Sequence, residues 1–119
     1  MTKVKSAAGV LALLNDPYGR VQSRALEMLL PIVDLFWAEI AESVDVIEGL
    51  SEEEDFGKRE LAAAVASKCF YHLEDYDEAL RLALGAGSFF DASENNSEYV
   101  EKMLAMCVEQ YIAERRKDA

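Results

Sequence analysis

The clearest evidence for the fold lies in residues 66–80, which read ASKCFYHLEDYDEAL. The apolar residues of this stretch lie three and four positions apart on either side of Glu74 and Asp75. This is the spacing of two amphipathic helices joined by a short turn. The same spacing continues along the chain in both directions, and no alternation of apolar and polar residues lasts long enough for a strand. The sequence therefore predicts an all-α fold, an array of antiparallel helix hairpins.

The apolar spacing predicts six helices joined by short turns. They are expected at residues 7–14, from 18 to Pro31, from Pro31 through Ile47, at 56–73, at 76–85 and from Ser97 onward. Pro31 has no backbone donor, so we expect two abutting helices with Pro31 in the first turn of the later one, or a single kinked helix. Gly49 and residues 51–55 are predicted to connect two helices.

The chain is strongly acidic. Twelve Lys and Arg against 23 Asp and Glu in 119 residues give a net charge of −11. Residues 38–55 hold eight acidic residues and no basic one, whereas residues 1–37 hold four basic and three acidic residues. A solvated helix face is one interpretation of the acidic stretch. The other is a docking surface for a basic partner, with these candidate residues: Glu39, Glu42, Asp45, Glu48, Glu52, Glu53 and Glu54.

Composition argues against several classes of partner. A surplus of carboxylates disfavours nucleic acid and anionic membrane surfaces, both of which attract Lys and Arg. No window reaches the ~20 apolar residues that cross a bilayer, and the apolar run at 7–14 is too short and wrongly flanked for a signal peptide. Cys69 and Cys107 fall on apolar helical faces, which predicts buried free thiols in a reducing compartment, the cytoplasm and nucleus.

The sequence offers little for catalysis. Cys69 and His72 share a helix, but a reactive thiol needs an exposed, electropositive setting, and this one lies in an apolar stripe. The run at 52–54 is expected to be solvated, whereas a general acid needs a desolvated carboxyl group. Phe36 and Trp37 are expected to pack between helix layers. We predict no catalytic residue, no cofactor and no metal site.

Two segments resemble known helical repeats. Residues 13–33, with Asn15-Asp16-Pro17 between two apolar runs, resemble the helix pair of a HEAT-type repeat. Residues 66–80 are similar to a tetratricopeptide hairpin, in which small alanines let the helix backbones approach closely. Together they indicate helices stacked in a solenoid-like array.

A longer set of motifs is more specific. In order and spacing, these motifs closely resemble the N-terminal segment of the large non-ATPase scaffold subunits of the 26S proteasome regulatory particle, members of the proteasome/cyclosome-repeat family. The resemblance extends from Ser6 to about Tyr111. The motifs are SAAGVL at 6–11, FWAEIAESV at 36–44, AAVASKCFYHL at 63–73, ALGAG at 83–87 and NSEYVE at 96–101.

The resemblance implies a non-catalytic function. Residues 1–119 would form a single helical-repeat domain, the first part of a longer rod in the base of the particle. Its partners would be other regulatory-particle subunits, and its role would be to support subunit assembly and ubiquitin-dependent protein degradation. The family's ubiquitin-receptor docking region lies at the far C-terminus, so none of those residues transfers to this chain.

Two further expectations follow from the repeat architecture. A solenoid cut after one of its helices leaves an apolar face uncovered, which predicts weak self-association through the helix bearing Met103, Cys107 and Tyr111. The alternative function is a free-standing tetratricopeptide-like adaptor that binds a peptide in its groove. Such a groove usually presents several cations, and the helix at 56–73 carries only Lys58, Arg59 and Lys68.

Overall fold

The computed structural model describes residues 6–90 and 98–117, and only the backbone of Ser88 and Lys117. Within these residues the chain forms seven α-helices and no strand, so the predicted all-α fold is confirmed. Short 3₁₀ turns at Leu13–Asn15, Leu30–Ile32 and Gly87–Phe89 connect some of them. The helices are α1 Ala8–Ala12, α2 Gly19–Leu29, α3 Val33–Ala41, α4 Val44–Glu52, α5 Arg59–His72, α6 Tyr76–Leu84 and α7 Glu98–Lys117.

Pro31 separates α2 from α3 as two segments. It lies in the 3₁₀ turn Leu30–Ile32, and α3 begins directly afterwards at Val33. Proline is tolerated at this position because the first turn of a helical segment leaves its N–H groups unpaired in any case. Val33 and Leu29, on either side of the turn, are fully buried, so the interruption keeps both segments on the core.

A second break divides the helix that was predicted to run from Pro31 through Ile47, so that prediction was wrong. The helix ends at Ala41, where Ser43 N–H donates to the Ile40 carbonyl in a tightened last turn, and Ser43 itself leaves helical geometry at φ −113° and ψ 11°. The new helix α4 then continues through Gly49 to Glu52. The predicted connection at Gly49 was therefore wrong, and the chain leaves the helix only after Glu52.

Helix α5 is the centre of the fold. It packs against α2, α3, α4 and α6. An apolar stripe containing Cys69 was expected on one face of this helix. The buried residues instead surround it, since all of residues 61–67 are buried, including Ser67. Four of the five residues at 62–66 are alanine, which leaves room for the surrounding helices, because a methyl group lets backbones approach closely.

A second, smaller apolar cluster joins α6 to α7. Phe70 and Phe90 pack against both this cluster and the main core, so the two are continuous. The assembly is elongated, with extents of 54 × 32 × 24 Å. The cluster consists of Ala79, Leu80, Ala83, Tyr99, Val100 and Met103.

The predicted apolar face of the last helix is covered only near its beginning. Val100 and Met103 are buried, whereas Val108 is 57% and Tyr111 is 63% exposed. Ser97, expected to open this helix, lies outside the described residues. Helix α7 packs against α6, and the part of it beyond Met103 leaves an apolar strip in contact with solvent.

Candidate functional site

The seven candidate carboxylates do not lie on one helix. Glu39 lies on α3, Glu42 directly follows the end of that helix, the next three lie on α4, and Glu53 and Glu54 follow the end of α4. The three-residue steps in the sequence therefore do not produce one continuous acidic face. The side chains must be considered one by one.

Glu39 holds the N-terminus of α1. Its Oε2 accepts hydrogen bonds from the Ser6 hydroxyl at 2.7 Å and from the Ala7 backbone N–H at 3.0 Å. Ser6 Oγ in turn accepts a hydrogen bond from the Ala8 N–H at 3.1 Å, so Ser6 also pairs an N–H group at the start of the helix. A carboxylate is favoured at a helix N-terminus, where N–H groups are unpaired and the helix dipole is positive. Glu39 thus has a structural role.

Glu48 and Glu52 are engaged by Arg81 of α6. The Arg81 guanidinium contacts the Glu48 carboxylate directly, lies 3.8 Å from Glu52 Oε1, and bonds Glu78 Oε2 at 2.7 Å. The hydrogen bond to Glu78 is the largest of several contacts that raise the pKa of Arg81. This cluster joins α4 to α6, both of which also pack against α5.

The other four carboxylates face solvent. Glu42, Asp45, Glu53 and Glu54 are exposed, and no ion pair within residues 6–90 and 98–117 involves them. These four are the part of the acidic stretch that is available to a basic partner. Binding there stays a prediction.

A polar cluster surrounds the Cys69–His72 pair. His72 stacks on Trp37 with ring centroids 5.6 Å apart, and its Nε2 lies 2.9 Å from Asp34 Oδ1. Lys68 Nζ lies 3.7 Å from Asp34 Oδ2. The thiol of Cys69 is fully buried, and burial raises its pKa to about 11. A thiol held in its protonated form is a poor nucleophile, so Cys69 and His72 are not suited to covalent chemistry. The contacts of His72 with Trp37 and Asp34 instead join α5 to α3.

The described residues offer neither a metal site nor a membrane-spanning helix. Among the described residues, no three His, Cys, Asp or Glu side chains come together in a way that could hold a metal ion. None of the described helices combines the length and apolarity required to cross a membrane.

An open groove of about 650 Å³ lies where the turn after α1 meets α2 and the segment before α5. Leu13 and Val21 contribute apolar surface, and Arg20, Arg24 and Lys58 contribute positive charge. The sequence analysis did not identify this groove. Its one signal in the sequence is the excess of basic over acidic residues in 1–37, in a chain that is otherwise acidic.

The architecture defines the class of protein: helix hairpins packed side by side, in the manner of helical-repeat proteins. The match to a family model is more specific. Residues 5–119 match the family described as 26S proteasome subunit RPN2, N-terminal domain. The chain belongs to this family.

Curated relatives agree with the family match. The chain is 48% identical over 110 residues to the 26S proteasome non-ATPase regulatory subunit 1 of Drosophila melanogaster, covering 92% of this chain and 11% of the relative. It is 46% identical over 116 residues to homolog B of that subunit in Arabidopsis thaliana, covering 96% and 12%. With RPN2 of Saccharomyces cerevisiae it shares 38% identity over 112 residues, covering 94% and 12%.

These figures confirm the resemblance found in the sequence and fix its extent. The relatives are named as proteasome regulatory subunits, and two of the three carry the term non-ATPase in their names. The chain spans only about one-eighth of their length.

Proposed function

We propose that this chain is a non-catalytic scaffold segment in the base of the 26S proteasome regulatory particle, where it supports subunit assembly and ubiquitin-dependent protein degradation. The observation that carries the proposal is the family match over residues 5–119. Relatives from an insect, a plant and a yeast bear the names of regulatory subunits, which supports a role inside the same particle. The cytoplasm and nucleus are the proposed locations.

The proposed mechanism is geometric. Helix α5 is enclosed by α2, α3, α4 and α6, and α7 extends the packed array beyond α6. Close packing of this kind resists deformation, because a shift of one helix forces its neighbours to repack. Partner-binding side chains on the outer helices would then be held at fixed separations. The proposed partners are other subunits of the regulatory particle.

The adaptor alternative has less support in the structure. In a peptide-binding hairpin array, the groove is lined by helix faces that remain accessible. Lys58 and Arg59, two of the three cations expected to line it, lie at the start of α5, but the body of that helix is buried from Leu61 to Ser67. No accessible concave face of α5 is left to bind an extended peptide.

Affinity capture distinguishes the two functions. A tagged 119-residue chain incubated with purified regulatory particle that has been partly dissociated by salt should recover base or lid subunits in low yield. A matched control carries Leu26→Asp, which places a charge at a fully buried position and should abolish recovery along with the fold. Saturable binding of one short C-terminal peptide, with no subunit recovered, would instead establish the adaptor.

Self-association is a further expectation for the isolated chain. The exposed strip of α7 should form weak dimers at high concentration, since contiguous apolar surface tends to be covered. Val108→Glu should abolish the dimer in sedimentation equilibrium. Gln110→Glu adds the same charge to an exposed polar position of the helix and should leave the dimer intact. A wild-type chain that stays monomeric at millimolar concentration would contradict the expectation.

A further inference from the structure

The groove between α1, α2 and α5 has a defined shape. Gln22 Nε2 donates to the Leu14 carbonyl at 3.1 Å, which fixes the 3₁₀ turn against α2. Leu14 is buried by this arrangement, and its neighbour Leu13 is left 37% exposed at the edge of the groove. Val21 lies across from the turn in the first part of α2. The groove therefore contains an apolar strip anchored to the core.

The charge around this strip is positive and largely uncompensated. Arg24 pairs with Glu27 at 3.2 Å, but both side chains are well exposed, and such pairs contribute little. Arg20 and Lys58 make no ion pair with any residue in 6–90 or 98–117. Asp16 Oδ1 accepts a hydrogen bond from the backbone N–H of Tyr18 at 2.9 Å, so this carboxylate offsets the positive end of the α2 dipole. The positive charge of the groove therefore comes from its three cationic side chains.

We propose that this groove binds an acidic segment of a partner protein, with an apolar side chain of that segment seated between Leu13 and Val21. Carboxylates on either side of the apolar side chain would pair with Arg20 and Arg24, and a further one with Lys58 at the edge. Arginine suits this role because its planar guanidinium binds carboxylates through two parallel hydrogen bonds.

Charge complementarity selects this occupant over others. The chain has a net charge of −11, so an acidic partner is repelled over most of the surface and attracted only where cations collect. Nucleic acid and anionic lipid would need a longer basic track than three side chains, one of which already has Glu27 beside it. A segment with an apolar side chain flanked by carboxylates matches both the apolar strip of the groove and the positive charge around it.

The inference rests on the proposed function only in taking the partner to be another subunit, and the test does not require the particle. A fluorescein-labelled peptide of about ten residues, with one Leu flanked by Asp and Glu, is titrated with the 119-residue chain in fluorescence polarisation. We expect saturable binding that weakens several-fold between about 50 mM and 200 mM salt, as for an interaction steered by charge. Replacing the central Leu of the peptide with Ser should also weaken it.

Matched variants locate the binding. Arg20→Glu with Arg24→Glu should reduce affinity about tenfold or more, because attraction becomes repulsion at both contacts. Arg115→Glu with Arg116→Glu makes the same change in net charge on the exposed end of α7 and should have little effect. Circular dichroism of both double variants checks that they are folded. Leu13→Ser should also reduce the affinity for the peptide, and it does so without changing the net charge.

Besides a peptide that does not bind, three results would overturn the proposal. They are equal losses in the two double variants, binding that is unaffected by Leu13→Ser, and tighter binding of single-stranded poly(U) or of phosphatidylserine vesicles than of the peptide. Failure of the peptide to bind would refute the groove assignment alone, since recovery of regulatory-particle subunits by the tagged chain tests the scaffold function separately.

Discussion

A buried serine joins three helices, and its hydrogen bonds can be assigned from geometry. Ser67 of α5 is fully buried, with Oγ 2.5 Å from the Ala79 carbonyl of α6 and 2.6 Å from the Tyr99 hydroxyl of α7. A carbonyl only accepts, so the single hydroxyl hydrogen of Ser67 goes to Ala79. Tyr99 must then donate to Ser67. Each bond depends on the serine.

Ser67→Ala should therefore cost more than the loss of one hydrogen bond. The Tyr99 hydroxyl, on a side chain only 7% exposed, would lose its acceptor, and a buried donor without a partner costs about 1–3 kcal/mol. Tyr99→Phe keeps the bond from Ser67 to Ala79 and should cost about 1 kcal/mol. The double variant should be no less stable than Ser67→Ala alone, because Phe removes the hydroxyl that the first substitution left unpaired.

Urea denaturation followed by circular dichroism measures these differences, and thermal unfolding should show a Tm lower by about 3–6 °C for each kcal/mol. Ser51→Ala is the control, since the Ser51 hydroxyl bonds a carbonyl within its own helix at a partly exposed position. Additive costs for Ser67→Ala and Tyr99→Phe, or a Ser67→Ala cost no larger than that of the control, would refute the assignment of donors.

Three further outcomes are expected. Burial raises the pKa of Tyr99 from 10.0 to about 12 and that of Cys69 from 9.0 to about 11, so the unfolded chain ionises first and stability should fall as pH rises from 9 to 12. In urea titrations at each pH, Tyr99→Phe should reduce the loss of stability between pH 10 and 12 and leave the Cys69 contribution below pH 11 in place. Arg81→Gln should cost about 0.5–1 kcal/mol at low salt and less at high salt, as Tm in a salt series would show. Gly87→Ala should cost about 1–2 kcal/mol, because Gly87 has φ +58° and an added Cβ would collide with the Glu60 carboxylate; Gly85→Ala, at φ −90° and 3.6 Å from the nearest atom, should be neutral in the same denaturation assay.

Much of the secondary structure followed from the spacing of apolar residues. The α5–α6 hairpin was predicted within a few residues of its observed ends, because Glu74 and Asp75 interrupt two clear helical patterns. Glu74 adopts φ +64° and Asp75 N–H bonds the Phe70 carbonyl, which closes the first helix of the hairpin. Local signals and tertiary packing agree at this turn.

The break at Ser43 could not be read from the same signal. Ile40, Val44 and Ile47 are spaced as on one helix, and all three are buried, so the apolar pattern continues across the break between α3 and α4. The prediction at Gly49 failed in the opposite way. Its low helix propensity suggested that a helix ends there, whereas α4 continues to Glu52. Tertiary packing overrides propensities of about 1 kcal/mol per residue.

The acidic stretch shows why charge runs are hard to interpret from sequence. Glu39 bonds residues 6 and 7, and Glu48 contacts Arg81, in both cases about 33 positions away in the chain. Nothing local in the sequence distinguishes these carboxylates from the exposed Glu42 and Asp45. The fold decides which charges are used internally, and only the remainder is available to partners.

The burial of α5 limits where any partner of this chain can bind. Substitutions along α5 from Leu61 to Ser67 disturb several helix contacts at once, so their effect on assembly cannot be separated from their effect on stability. The exposed carboxylates that follow α4 and the basic groove beside α2 contribute little to the core, and surface changes of this kind usually alter stability by less than about 0.5 kcal/mol. Charge reversal at Glu54 and at Arg20 is therefore the informative pair. If the scaffold holds partners by its outer surface, these variants should weaken capture of subunits while the urea midpoint of the chain stays unchanged.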